Sequence, residues 1–305
     1  MVTISTRFLI ISDTHDFEYA GQTGPFREPA PKVDVVLHCG DLTQVGGLSE
    51  YKRTLRMLGQ IEAELKLVIA GNHDLSLDLE YWQTLSEEDE RESERQEHLE
   101  AIEIMTGKLA RDAGVTYLEE GTHTFTLRNG AKFSIYASPY QPRFGDWAFP
   151  YERHEDRYNL PSQSAHGTTS IDRNPIPSFP SIDIMMTHGP PRGILDECVD
   201  GHIGCDNLLR AVERARPKLH CFGHIHEDYG AELVTWEETD SGSTRANHGS
   251  PQVNKYPMSC SSEVKIDFGK ETMMVNAAVM NGKNQPANDP WIFDLELECD
   301  RNLSN

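Results

Sequence analysis

Five short polar segments, each set directly after an apolar run, constrain this chain more than anything else in it. They are Asp13-Thr14-His15, Gly40-Asp41, Gly71-Asn72-His73-Asp74, Thr187-His188-Gly189-Pro190 and Gly223-His224-Ile225-His226. The runs before them, Arg7 to Ser12, Val33 to His38, Lys66 to Ala70, Ile182 to Thr187 and Leu219 to Phe222, read as buried strands. In open α/β sheets ligands bind beyond the carboxyl ends of the strands. Five polar clusters at five such ends predict one convergent site.

The intervening sequence supports that frame. Tyr51, Leu55 and Leu58 recur at helical spacing, with Ser49 as the expected N-cap. Strand–helix–strand alternation predicts a parallel sheet at the start. Leu85 to Ala113 is expected to be helical, with an acidic, solvated first half and an apolar stripe of Leu99, Ile102, Met105 and Leu109. Arg128-Asn129-Gly130 signals a hairpin turn. Asp206 is the expected cap of a helix that turns Leu208, Leu209 and Val212 inward and stops at Pro217. Val264 to Phe268, Met273 to Val279 and Trp291 to Glu298 read as closing strands. The expectation is a single domain over 1–305 with loop insertions at 151–181 and 237–262. The second insertion is poor in apolar residues and is expected to be mobile.

Composition narrows the function. Among 305 residues, 37% are hydrophobic and 25% charged, which excludes a fibre, a fully disordered chain and a membrane protein. The net charge of −21 excludes a nucleic acid polymer or an anionic membrane as partner, because long-range attraction would have the wrong sign. An anionic substrate would need a local reversal of the field, and bound metal ions supply one. The six cysteines form no C-x-x-C pair, and no apolar run is long enough for a signal-peptide core or a membrane span. These features point to a reduced, cytoplasmic protein.

The donor set suits metals. Side chains at i and i+2 of extended backbone point the same way, so Asp13 with His15, and His224 with His226, can each grip an ion. Carboxylate with imidazole suits manganese, iron or zinc, and the lack of cysteine donors argues against a structural zinc. Asn72 adds a neutral oxygen. Asp41 follows a glycine, so its carboxylate can come close and bridge two ions. Two divalent ions, less two aspartates and a hydroxide, leave one positive charge, which matches a phosphodiester. Singly these segments are a surface pair, a turn or a core histidine. Together, each after a strand, they are a site.

Their order resembles the calcineurin-like metallophosphoesterase family. The resemblance implies a four-layer α/β/β/α sandwich, two mixed sheets flanked by helices, with two divalent metal ions: manganese first, with iron, zinc or magnesium as alternatives. It implies a first metal site of Asp13, His15, Asp41 and His226, and a second of Asp41, Asn72, His188 and His224. His73 would face the phosphate and leaving group, and Asp74 beside it would set its tautomer. A hydroxide between the ions would attack phosphorus in line with the leaving oxygen.

Further segments carry a closer resemblance. These are Ser138-Pro139-Tyr140-Gln141-Pro142 with Phe144 and Trp147-Ala148-Phe149; Thr187 to Pro191; Pro217 to Glu227; and Val275-Asn276-Ala277 with Gln285-Pro286. They are similar to the metallophosphoesterase-domain-containing group, itself similar to class III cyclic nucleotide phosphodiesterases. Some members carry glycine where this chain has His224. The implied activity is hydrolysis of small phosphodiesters, cyclic nucleotides among them. The alternatives are a phosphomonoesterase and a non-catalytic metal-binding scaffold. Protein phosphatases of the superfamily carry an arginine soon after the Gly-Asp segment, and Leu42 to Gly47 contains none. Trp147 and Phe149 are expected to pack their loop onto the sheet rather than stack on a nucleobase. His38 and His220 precede ligand segments and are expected to support them.

Overall fold

The structure is a computed structural model. It describes residues 2–17, 30–85, 87–88, 90–238, 244–258 and 265–299. The sheet strands are β1 (Thr3–Ile11), β2 (Val35–His38), β3 (Leu65–Val68), β4 (Val115–Tyr117), β5 (Gly121–Thr126), β6 (Ala131–Ser138), β7 (Ile184–Thr187), β8 (Leu219–Phe222), β9 (Gly230–Glu238), β10 (Thr244–Pro251), β11 (Glu271–Asn276) and β12 (Trp291–Cys299). The helices are α1 (Leu48–Gly59), α2 (Leu79–Leu85), α3 (Arg91–Thr106), α4 (Lys108–Ala113) and α5 (Asp206–Ala215).

The twelve strands form one hydrogen-bonded path, β10-β9-β11-β8-β7-β6-β12-β1-β2-β3-β4, with β5 on β6. The join between halves is slight: β12 meets β6 only at Glu298–Lys132 and Cys299–Ala131. Alternation along the strands shows why the path bends there. Phe8 and Ile10 face Phe133, Ile184 and Val275 in an inner core, and the Phe8 and Phe133 rings lie 5.6 Å apart. Leu9 and Ile11 face the other way, onto Tyr51 and Leu55 of α1 and Met105 of α3. Tyr136, Met185 and Met274 pack on Leu208 and Val212 of α5. The layers are therefore helix, half-sheet, half-sheet, helix, as expected, although the two sheets are one ribbon folded on itself.

Within each half the central strands are parallel: β1 to β4 on one side, β6, β7, β8 and β11 on the other. At their carboxyl ends the halves touch, with the Ser12 nitrogen donating to the Ala277 carbonyl at 2.9 Å. All five polar segments leave from these ends.

Several local expectations are corrected. Gly47, not Ser49, caps α1, because the Glu50 carboxylate turns back to accept from the Gly47 nitrogen at 3.0 Å. Cys205, not Asp206, caps α5, its Sγ accepting from the Leu208 nitrogen. Leu85 to Ala113 is not one helix but the end of α2 followed by α3 and α4, whose buried apolar residues are Ala101, Ile104, Met105 and Ala110, Met105 alone among them belonging to the expected stripe. Leu99 and Leu109 are exposed. The segment from Glu237 carries regular structure where it is described: β10 pairs with β9 from Thr244 to Pro251. Val264 lies outside the described residues, and the stretch before Phe268 forms no strand, only an isolated bridge from Phe268 to Glu271. Residues 152–181 are mostly loop, yet well anchored. Arg157 is buried, pairs with Glu120 through two 2.9 Å contacts and lies 3.3 Å over the Tyr140 ring.

Candidate metal centre

The five segments converge. Asp13 leaves β1 in a left-handed turn (φ 53°), as do His15 (φ 43°), Asp41 (φ 53°) and His224 (φ 69°). Such backbone is costly for non-glycine residues and clusters where surrounding structure imposes it. The glycines explain how the segments come so close. A Cβ on Gly71 would fall 2.3 Å from the nitrogen and Oδ1 of Asp41, and one on Gly40 2.6 Å from the Ala70 carbonyl.

Asp13, His15, Asp41 and His226 offer ligand atoms all within 4.8 Å of one another. The His226 Nε2 lies 3.2 Å from Asp13 Oδ1 and 3.3 Å from the His15 Nε2. On the other side, the His188 Nε2 sits 2.8 Å from Asn72 Oδ1, and the His224 ring lies 5.0 Å from that of His188. Asp41 stands between: Oδ2 is 3.6 Å from the His15 Nε2, and Oδ1 is 3.4 Å from the His188 Nε2.

Hydrogen bonds fix which nitrogen faces inward. The Nδ1–H of His15 donates to the Thr43 carbonyl, that of His188 to the Cys39 carbonyl, and that of His226 to Asn284 Oδ1. Each Nε2 therefore presents a lone pair. Burial pushes the His15 imidazole down to about 3 and lowers His188 and His224 as well. Burial, and then the charges of Asp13 and Asp74, push the Asp41 carboxyl well above its usual range. The His224 nitrogen donates to both oxygens of Asp13 and the His73 nitrogen to Asp41 Oδ1, and the imidazole lone pairs and carboxylate oxygens gathered around them fit divalent cations.

His224 and His226 do not share one cluster. The positive φ at His224 breaks the extended backbone that the i, i+2 argument needs, so the two rings diverge to opposite sides of Asp41. Asp74 does not touch the His73 ring. It accepts from the nitrogens of Gly71, Leu42 and Thr43 and from the Thr43 hydroxyl, which ties two site loops together. The Gln44 carbonyl holds the His73 Nδ1, at 2.6 Å.

Other residues were less legible. Trp147 stacks on His73 at 3.9 Å between centroids, so it packs against the site itself. Asn284 orients His226, and the only sequence signal for it is the turn-forming run Asn281-Gly282-Lys283-Asn284. His38 and His220 are buried and bond the hydroxyls of Thr14 and Thr187, both at 2.9 Å, beside Asp13, His15 and His188. Among the described residues no helix is long and apolar enough to cross a membrane.

Residues 6–228 match the family of calcineurin-like phosphoesterases, and the chain belongs to that family. Membership places it among phosphoric ester hydrolases with a candidate metal-binding cluster. It is 35% identical over 299 residues to metallophosphoesterase domain-containing protein 1 of Homo sapiens, covering 95% of this chain and 71% of that protein. It is 30% identical over 307 residues to a protein of Emericella nidulans named "Probable rhamnogalacturonate lyase C", covering 98% of this chain but 25% of that one. A UPF0046 protein of Caenorhabditis elegans is 30% identical over 301 residues, covering 95% of this chain and 81% of its own.

Proposed function

We propose that the protein is a dinuclear metal-dependent phosphodiesterase acting on small phosphodiesters, cyclic nucleotides among them. The observation that carries this reading is Asp41, whose two oxygens face His15 on one side and His188 on the other. Asp13, His15, Asp41 and His226 would hold one ion, and Asp41, Asn72, His188 and His224 the other. Two such ions clamp a phosphate as Lewis acids and lower the pKa of a water to about 7.

The chain's own groups do the rest. The Ala148 nitrogen donates to the Asn72 main-chain carbonyl at 3.0 Å, which holds the backbone from which the Asn72 amide would reach the phosphate. His73 keeps its Nδ1–H on the Gln44 carbonyl, so to act as an acid it would carry a second proton on Nε2. Burial lowers the His73 pKa, which makes its imidazolium the stronger acid toward a leaving oxygen. The Thr43 and Cys39 carbonyls hold the ligand imidazoles in one tautomer.

The test is hydrolysis of an aryl phosphodiester against its monoester, on metal-stripped protein titrated with manganese. Diester turnover that rises with metal and is lost in Asp41→Asn supports the reading. Preference for the monoester moves it to a phosphomonoesterase. No turnover of either ester with two metals bound leaves the scaffold.

A further inference from the structure

A cleft of about 480 Å³ opens over the centre, with Asp41, Asn72 and His73 at its floor. Phe144 lines it and is 62% exposed. Val199 also lines it and is 94% exposed, at the tip of the turn joining Glu197–Cys198 to Gly201–His202. Both side chains are largely exposed. One exposed apolar residue needs no explanation, but two lining the same cleft above a polar floor do.

The Val199 wall is fixed rather than loose. The Glu197 nitrogen donates to Asp228, the His202 ring bonds Asp196 at 2.6 Å, and Asp196 also accepts from the Gly204 nitrogen. Arg153, also in the lining, donates to the Ile203 carbonyl at 2.9 Å. Its guanidinium is thus engaged in bracing the wall. Asp200 and Glu227 add negative charge to the lining.

We propose that this cleft is a subsite for the organic group of the substrate, gripped between Phe144 and Val199. It selects a flat, apolar, uncharged group and disfavours an acidic one. The subsite rests on the phosphoester reading above, since it presupposes a phosphorus group at the floor.

Three phosphonates that share one head group test it: phenylphosphonate, methylphosphonate and 2-carboxyethylphosphonate, titrated calorimetrically into manganese-loaded protein. Phenylphosphonate is expected to bind about tenfold tighter than methylphosphonate, from the apolar area it covers. The carboxyethyl compound is expected to bind no tighter than the methyl one. Val199→Ser and Phe144→Ala are each expected to bring the phenyl-to-methyl ratio toward one. The exposure of Val199 means its substitution disturbs no core. Equal binding of phenyl and methyl compounds to the unaltered protein, or a ratio unmoved in both variants, overturns the subsite alone. Failure of the metal-loaded protein to bind any of the three overturns the phosphoester reading itself.

Discussion

The Nε2 of His188 lies 2.8 Å from Oδ1 of Asn72, and neither atom has a proton for the other, because the His188 proton is on Nδ1 facing the Cys39 carbonyl. Two acceptors at that distance repel unless a cation joins them. Manganese added to metal-stripped protein should therefore raise stability. At a free concentration about 100-fold above Kd the gain is about 2.7 kcal/mol, or roughly 5 °C in Tm. His188→Ala should bind about one ion per chain fewer, by elemental analysis. An undiminished metal content in that variant would remove His188 from the ligand set.

Gly71→Ala puts a Cβ against backbone as well as side chain of Asp41. Backbone yields little, so the Asp41 segment must shift. The expected cost is about 1–3 kcal/mol in denaturant melts, together with reduced metal content. Gly59→Ala is the counterpart. Its Cβ meets only Ala113, at 3.7 Å, and it lies in α1, so no loss and a gain of up to about 1 kcal/mol are expected.

Trp147→Ala should lower kcat about fivefold to tenfold with a smaller change in KM, since the stacking on His73 is worth about 0.5–1.5 kcal/mol. Trp147→Phe should restore most of the loss. A change confined to KM, unrescued by phenylalanine, would mean that Trp147 meets substrate instead of positioning His73.

His202 gives a pH signature. Its hydrogen bond to Asp196 raises its pKa above the ordinary value. A raised folded pKa stabilises fully below the unfolded value, about 6.5, and the contribution is lost as pH rises through the folded pKa. The His202 side chain is half exposed, so screening holds the effect to at most about 1 kcal/mol. The stability gap between the parent chain and His202→Gln should be widest in mild acid and close toward alkaline pH. A gap that stays flat with pH would assign the contact to an uncharged hydrogen bond.

Strand ends were legible because buried parallel strands leave apolar runs, and the donors sit at fixed offsets beyond them. The division of His224 from His226 was implied by the family resemblance but not by their i, i+2 spacing, because a positive φ at a histidine has no sequence signature. Nor was the cap of α1, where a glutamate one turn in displaced the nearby serine. The exposure of Leu99 reflects tertiary packing: α3 turns Ala101 and Ile104 inward beside Met105, and of these three periodicity had placed only Met105 on the apolar stripe.

The pairing of β12 with β1 reaches across almost the whole chain, from Thr3–Glu298 to Ile10–Trp291. Contacts between residues this far apart in sequence are slow to form, because the loop they close must first lose its freedom. During synthesis β1 emerges first and must wait for β12 before its second edge is covered. Asp13 and His15, two and four residues past the end of β1, wait with it. Metal capture should therefore be a late event in folding, following closure of the ribbon by its last strand.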